Sequence, residues 1–224
     1  MAALMTNNGR HRGPARRWLA NGLRTLAIVA ATVGLLFGWK LNEVRHQRSV
    51  VDEVAKFDAT IHYDYEYRGR SKPPGPKWLR RMFGDDFFTV VAGVEIVTDH
   101  ITGDAVAAVS TLPHLKTLLV HSEGIDDQGL LQLAGATELE QLTFRSTHVT
   151  DAGLAQLAVL KELTSLIIDA PRITDVGLIL LEELPNLTRV DLISTRVTTE
   201  GVDRLRAALP KCDIRVFPEL RQRL

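Results

Sequence analysis

The sequence predicts an α/β solenoid, in which parallel strand–helix units stack around one core, preceded by a single N-terminal helix long enough to cross a membrane. Three observations predict it. Four stretches, Leu115–Val120, Leu139–Phe144, Leu163–Ile168 and Leu187–Leu192, begin 24 residues apart and carry apolar residues at their first, fourth and sixth positions. Each is followed, again at fixed offsets, by Ile125, Val149, Ile173 and Val197, and then by Gly129-Leu130, Gly153-Leu154, Gly177-Leu178 and Gly201-Val202. Upstream, Thr25 to Trp39 holds no charged residue.

Within a unit, the alternating part has the period of a strand. The later part, as in Leu154, Leu157 and Leu160 or Leu178, Leu181 and Leu184, has the spacing of a helix face. Neither half can bury its apolar side alone, so units must stack. The phase continues upstream through Val94, Ile96, Ile101, Val106 and Val109, and downstream to Ile214 and Val216. Five units are expected, at 91–114, 115–138, 139–162, 163–186 and 187–210, with a terminal strand completing residues 91–216. Asp127, Asp151, Asp175 and Thr199 stand just before the repeated glycines, where an acidic or hydroxyl residue suits a helix N-cap or first turn. The glycines let neighbouring units approach closely.

With these residues in view, the repeat resembles the leucine-rich repeat, in the form whose units read "ITDAGL", seen here as Val149-Thr-Asp-Ala-Gly-Leu154 and Ile173-Thr-Asp-Val-Gly-Leu178. The resemblance covers 91–216 and implies strands lining a concave, non-enzymatic binding face. One departure concerns the turn position that often carries Asn or Thr. It is Thr147 and Thr195 here but Glu123 and Pro171 in the other units, so a broken side-chain ladder is expected. The upstream layout is similar to that of membrane-anchored bacterial repeat proteins.

Residues 1–17, with Arg10, Arg12, Arg16 and Arg17, read as a disordered basic head, and 18–40 as a transmembrane helix. From Trp18 to Trp39 an α-helix of 22 residues spans roughly 33 Å, near the ~30 Å of a bilayer core. The two tryptophans suit its interfaces, and Arg24 can reach back toward headgroups. A cleaved signal would want small residues after the apolar run, and Phe37-Gly-Trp-Lys40 is a poor cleavage site. A buried core helix would want a polar stripe and no Arg-rich flank. The five arginines ahead of the run outnumber Lys40, Arg45 and Arg48 behind it, which favours a cytoplasmic N-terminus and an extracytoplasmic repeat domain.

Residues 41–90 are expected to form a helix, a strand and a cap. Leu41, Val44, Arg48, Val51, Val54 and Phe57 fall on one face of the helix. Thr60 to Tyr67 alternates, which puts Tyr63, Tyr65 and Tyr67 on one face of a strand, either covering the front of the core or offering a ligand platform. Pro73-Pro-Gly-Pro76 marks a loop, and Trp78 to Phe83 a short amphipathic helix. The acidic pair Asp85-Asp86 reads as a solvated turn rather than a metal site. Residues 217–224 form a tail that, with Phe217-Pro218, closes the back.

Residues between the core positions of each strand should face outward in rows. The nominated partner-binding residues are Leu119, Thr143, Ile167 and Asp191 in one row, His121, Arg145, Asp169 and Ile193 in the next, and Arg189 beside Asp191. Arg145 should stand next to Asp169 and His121. Leu119, Ile167 and Ile193 are apolar in an outward register, which suits a protein partner. The alternative is a structural or envelope-organising element that self-associates through them as a homo-oligomer.

Formal charge separates along the chain. Residues 1–57 carry nine Lys/Arg against three Asp/Glu, or +6, and the remaining 18 against 24 leave −6. An acidic body argues against nucleic acid as its partner. Cys212 is the one cysteine, so neither an internal disulfide nor a thiolate cluster can form. No phosphate loop, nucleophile elbow, HExxH or CxxC motif is present, and the histidines at 11, 46, 62, 100, 114, 121 and 148 keep no ligand spacing. The sequence therefore calls for no catalytic residues, no metal and no cofactor.

Overall fold

The structure is a computed structural model that describes residues 14–99, 101 and 103–218, with side chains placed from residue 24 onward. The chain divides into two units, residues 1–43 and 44–224. In the first, helix α1 (Pro14–Val54) begins, with proline at its first turn, where a missing N–H costs nothing. The expected disorder to residue 17 thus gives way to helix at Pro14, and residues 1–13 lie outside the described part. Residues 24–57 are long and apolar enough to cross a membrane. Leu26, Ile28, Val33, Leu35 and Trp39 are exposed on that segment. Helix continues through the expected boundary at residue 40.

The second unit carries a seven-stranded sheet in sequential order. Strand β1 (Thr60–Tyr63) is antiparallel to β2 (Val91–Val97). From β2 onward every pairing is parallel, through β3 (Thr117–His121), β4 (Gln141–Arg145), β5 (Ser165–Asp169), β6 (Arg189–Ile193) and β7 (Asp213–Phe217). Thr117 pairs Gln141, Gln141 pairs Ser165, and Ser165 pairs Arg189, a constant step of 24 residues. Helices α4 (Gly103–Ser110), α5 (Asp127–Gln132), α6 (Asp151–Gln156), α7 (Asp175–Leu181) and α8 (Thr199–Ala208) return the chain between strands. Leu118, Leu142, Leu166, Val190 and Ile214 form one buried column, and Val120, Phe144, Ile168 and Leu192 another. The helix residues Leu130, Leu154, Leu178 and Val202 close the core from behind. This is a solenoid of parallel strand–helix units.

The units are locked on their helical side. The N-caps of α5 to α8 are Asp126, Thr150, Thr174 and Thr198, one residue earlier than the aspartates that the sequence offered. The aspartates sit in the first turn and reach forward to the next unit instead. Asp127 accepts the N–H and the hydroxyl of Thr150 at 2.7 Å each, Asp151 those of Thr174 at 2.8 and 2.6 Å, and Asp175 those of Thr198 at 2.7 and 2.6 Å. Each threonine oxygen also caps its own helix, as Thr174 does by accepting Val176 N–H at 3.3 Å. The glycine that follows leaves room for the carboxylate. A Cβ on Gly177 would clash with Asp151 Oδ1 and come within 2.9 Å of Leu154 Cδ1.

The front is covered by the end of α1, on the expected face except at Arg48: Val51 and Phe57 also pack against the core. Val44, Gln47, Val50 and Val54 are buried, while Arg48 is exposed and pairs with Asp86 at 2.5 Å. Gln47 explains the change: its amide donates to Thr89 O at 3.3 Å and accepts Val91 N–H at 3.2 Å, so a buried polar side chain finishes the backbone bonding at the start of β2. The strand expected over 60–67 stops at Tyr63. Asp64 exchanges bonds with Val90, and Glu66 accepts Tyr63 N–H at 3.2 Å, so the chain turns into the single-turn helix α2 (Asp64–Tyr67). The three tyrosines therefore do not share a strand face. Helix α3 (Lys77–Phe83) forms as expected, but Trp78 is 64% and Met82 66% exposed, so its apolar face is not the front cover. Asp85 and Asp86 pair with Arg80 and Arg48. At the back, Val216 and Phe217 are 41% and 40% exposed, and residues 219–224 lie outside the described part.

Two outcomes follow for the interlock. Asp151→Ala should lower unfolding stability by about 1–3 kcal/mol, since it strips two bonds from Thr174. Gly177→Ala should cost more in the wild-type background than beside Asp151→Ala, with a coupling of about 1–2 kcal/mol in a denaturant double-mutant cycle. The Asp175 carboxyl is held below its ordinary range by the Thr198 hydroxyl and then by Thr198 N–H. A depressed carboxyl contributes stability above its unfolded pKa and loses it as pH falls through the folded one. The stability gap between wild type and Asp175→Asn should therefore narrow on acidification, as read from denaturant midpoints.

Candidate functional site: the concave sheet face

The strand register brings the nominated residues together in the predicted rows. Leu119, Thr143, Ile167 and Asp191 are successive partners, as are His121, Arg145, Asp169 and Ile193. Phe217 joins the second row beside Ile193, a member that the sequence reading had assigned to the tail. Arg145 Nε lies 3.4 Å from Asp169 Oδ2. Arg189 grips Asp191 Oδ2 with Nε at 3.0 Å and a terminal nitrogen at 2.5 Å, and Arg215 holds Asp213 in the same way. Asp191 is only 4% exposed, and its other oxygen, Oδ1, is buried with no partner among the described residues. Leu119, Ile167 and Ile193 point outward but are half-buried rather than open. Row neighbours about 4.8 Å apart cover one another's flanks, which explains the difference. The openly exposed aliphatic residues of the solenoid include Leu131, Val159, Val176 and Ile179, on the helical side.

At the strand ends, a cavity of about 380 Å³ is lined by Val97, Asp99, His121, Glu123 and Arg145, among others. Burial pushes the His121 imidazole below its ordinary pKa, Arg145 pushes it further, and Asp169 and Glu95 oppose. Glu123 accepts the hydroxyl of Thr147, and its N–H at 3.1 Å, and these bonds hold its carboxyl below the usual range. That is one rung of the turn-side ladder. Pro171 supplies none, and Thr195 Oγ1 is buried without a partner among the described residues, so the ladder is broken as expected.

This arrangement can form hydrogen bonds and ion pairs with a partner. Ser122 is buried, and its hydroxyl oxygen accepts Gly124 N–H at 3.1 Å and Ile101 N–H at 3.4 Å. Burial and Asp213 push the Cys212 thiol up, which disfavours the thiolate. Among the described residues no group of three or more His, Cys, Asp or Glu could hold a metal ion.

The sequence reading missed the other edge of the face. There His114 pairs with Glu138 at 2.9 Å, and Lys116 pairs with Glu140, both one unit apart. The signal was available in the 24-residue spacing of opposite charges, which places them side by side on adjacent strand entries. With Tyr67 at the end of α2 and Arg68 just beyond it, these pairs line a cavity of about 510 Å³. A ring titration of His121 by NMR should give a midpoint below that of an exposed histidine. Arg145→Met should raise it and Asp169→Asn should lower it further.

No protein-family model and no curated protein matches the chain. One solved structure that it resembles is internalin C2 (inlC2) from Listeria monocytogenes, at 27% identity and a TM-score of 0.39. The match covers 53% of this chain and 47% of the internalin chain, so the likeness is confined to about half of either molecule.

Proposed function

We propose that this protein is a membrane-anchored, non-enzymatic leucine-rich-repeat module that binds a protein partner through its concave sheet face. The observation that carries the reading is the composition of that face. Half-buried Ile167 and Ile193 adjoin the ion pairs Arg189–Asp191 and Arg145–Asp169 along the rows, and half-buried Leu119 begins the first row. Partly covered aliphatic side chains among fixed charges supply both apolar area and register to a docking protein. The segment 18–40 anchors the chain, with the N-terminus in the cytoplasm and the repeats outside, as the arginine excess ahead of its uncharged run favours.

A second reading, self-association, is favoured by a different surface from the one first nominated. Val176 is 62% exposed, and Ile179, Val159 and Leu131 are also open on the helical side. A symmetric contact there would cover them.

A photo-crosslinking residue placed at Thr143, on the concave face, should capture a discrete partner in intact cells, and one at Gln156, on the helical side, should not. Ile167→Asp with Arg145→Glu should abolish the capture. Equal yields from both positions would sink the concave-face reading. A larger mass for the full chain in detergent, reduced to that of the monomer by Val176→Glu, would favour self-association.

A further inference from the structure

We infer that the cavity at the front edge of the concave face is a subsite for a basic segment, a Lys or Arg side chain and its neighbours, of the bound protein. The inference rests on the proposed binding role of that face and assigns its chemistry. Four observations converge on it.

The first is size. A volume of about 510 Å³ lies within the range of small-ligand sites and suits a few residues of peptide. The second is a deliberately made aromatic wall. Tyr67 is 57% exposed, yet its hydroxyl lies against Gly93, where a Cβ would clash with it. The other strands carry Thr117, Gln141, Ser165, Arg189 and Asp213 at this row position. Among the parallel strands, glycine on β2 alone lets the phenol lie over the sheet, with ring surface left for a cation.

The third is charge. Asp64, Glu138 and Glu140 line the cavity against Arg68, Lys116 and His114. The Glu138 and Glu140 side chains stay 53% and 42% exposed. A carboxylate has acceptor capacity beyond one partner, and ion pairs this open to water are weak, so an incoming ammonium or guanidinium can share or displace them. The −6 charge of residues 58–224 adds long-range attraction for a basic partner. The fourth is the backbone at His114, which holds φ of 65°, one of three non-glycine residues with positive φ among those described. Left-handed backbone is costly for residues with a side chain. Here it accompanies a His114 side chain turned to Glu138 at the cavity rim.

The test uses the full chain in detergent and three fluorescein-labelled peptides, each acetylated and amidated: trilysine, triglutamate and trialanine. Trilysine should bind most tightly. Tyr67→Ala and Glu140→Gln should each weaken it at least tenfold, and Tyr67→Phe should stay within twofold of wild type. Gln156→Ala, on the helical side, should leave it unchanged. If Tyr67→Ala fails to melt cooperatively, Glu140→Gln decides alone. Equal affinity for triglutamate, no loss on Glu140→Gln in a folded protein, or competition by spermidine at the same concentration as trilysine would overturn the assignment, the last because it would indicate a free polyamine site. Loss of the peptide result with the Thr143 crosslink intact would remove this subsite and leave the concave-face reading standing. Loss of the crosslink with trilysine binding intact would do the reverse.

Discussion

The aspartate carboxylate that crosses from one turn of the solenoid to the next is the contact on which the rest of the structure depends. Asp127, Asp151 and Asp175 each take both donors of the following unit's threonine, and that threonine caps its own helix. One bridge thus satisfies a helix N-terminus and fixes the spacing between units. The space for it exists because the next helix carries glycine at the point of contact. Asp, Thr and Gly in the motif are therefore one device rather than three separate preferences. The leucines supply the core, and this bridge sets the register in which they meet.

A stack of identical units has two open ends, and the two are treated differently. The front is closed by the end of α1, with Gln47 completing the backbone bonds of Thr89 and Val91, and by β1, which pairs antiparallel with β2. An antiparallel strand ends the parallel ladder and removes an open edge from the front of the sheet. The cover comes from the end of α1, a helix whose earlier part is long and apolar enough to cross a membrane.

The outward sheet face carries ion pairs and hydrogen-bonding groups along its strands. His121 stands beside Arg145 and Asp169, and Ser122 accepts the turn hydrogen bonds behind it. The face is also uneven along its width. One edge holds His121, Glu123 and Arg145, the other holds Tyr67, Lys116 and Glu140, and aliphatic side chains lie between them. Two polar edges therefore flank an apolar middle.

Much of this was legible from residue order. A 24-residue period, strand alternation and helical leucine spacing determined the parallel stack and its rows, because every unit must bury the same face against its neighbours. The uncharged run from Thr25 to Trp39 determined a helix fit to cross a bilayer. Tertiary structure decided what depends on partners distant in sequence. Tyr67 leaves the strand because Asp64 bonds Val90, and Gln47 replaces Arg48 at the buried front because two backbone groups of β2 need an amide. The aspartates act across units rather than as caps, since the next threonine lies closer to them than any donor pattern within one repeat reveals. Periodicity reports which side of an element is apolar, whereas a hydrogen-bond partner 23 or 44 residues away is fixed only when the chain is folded.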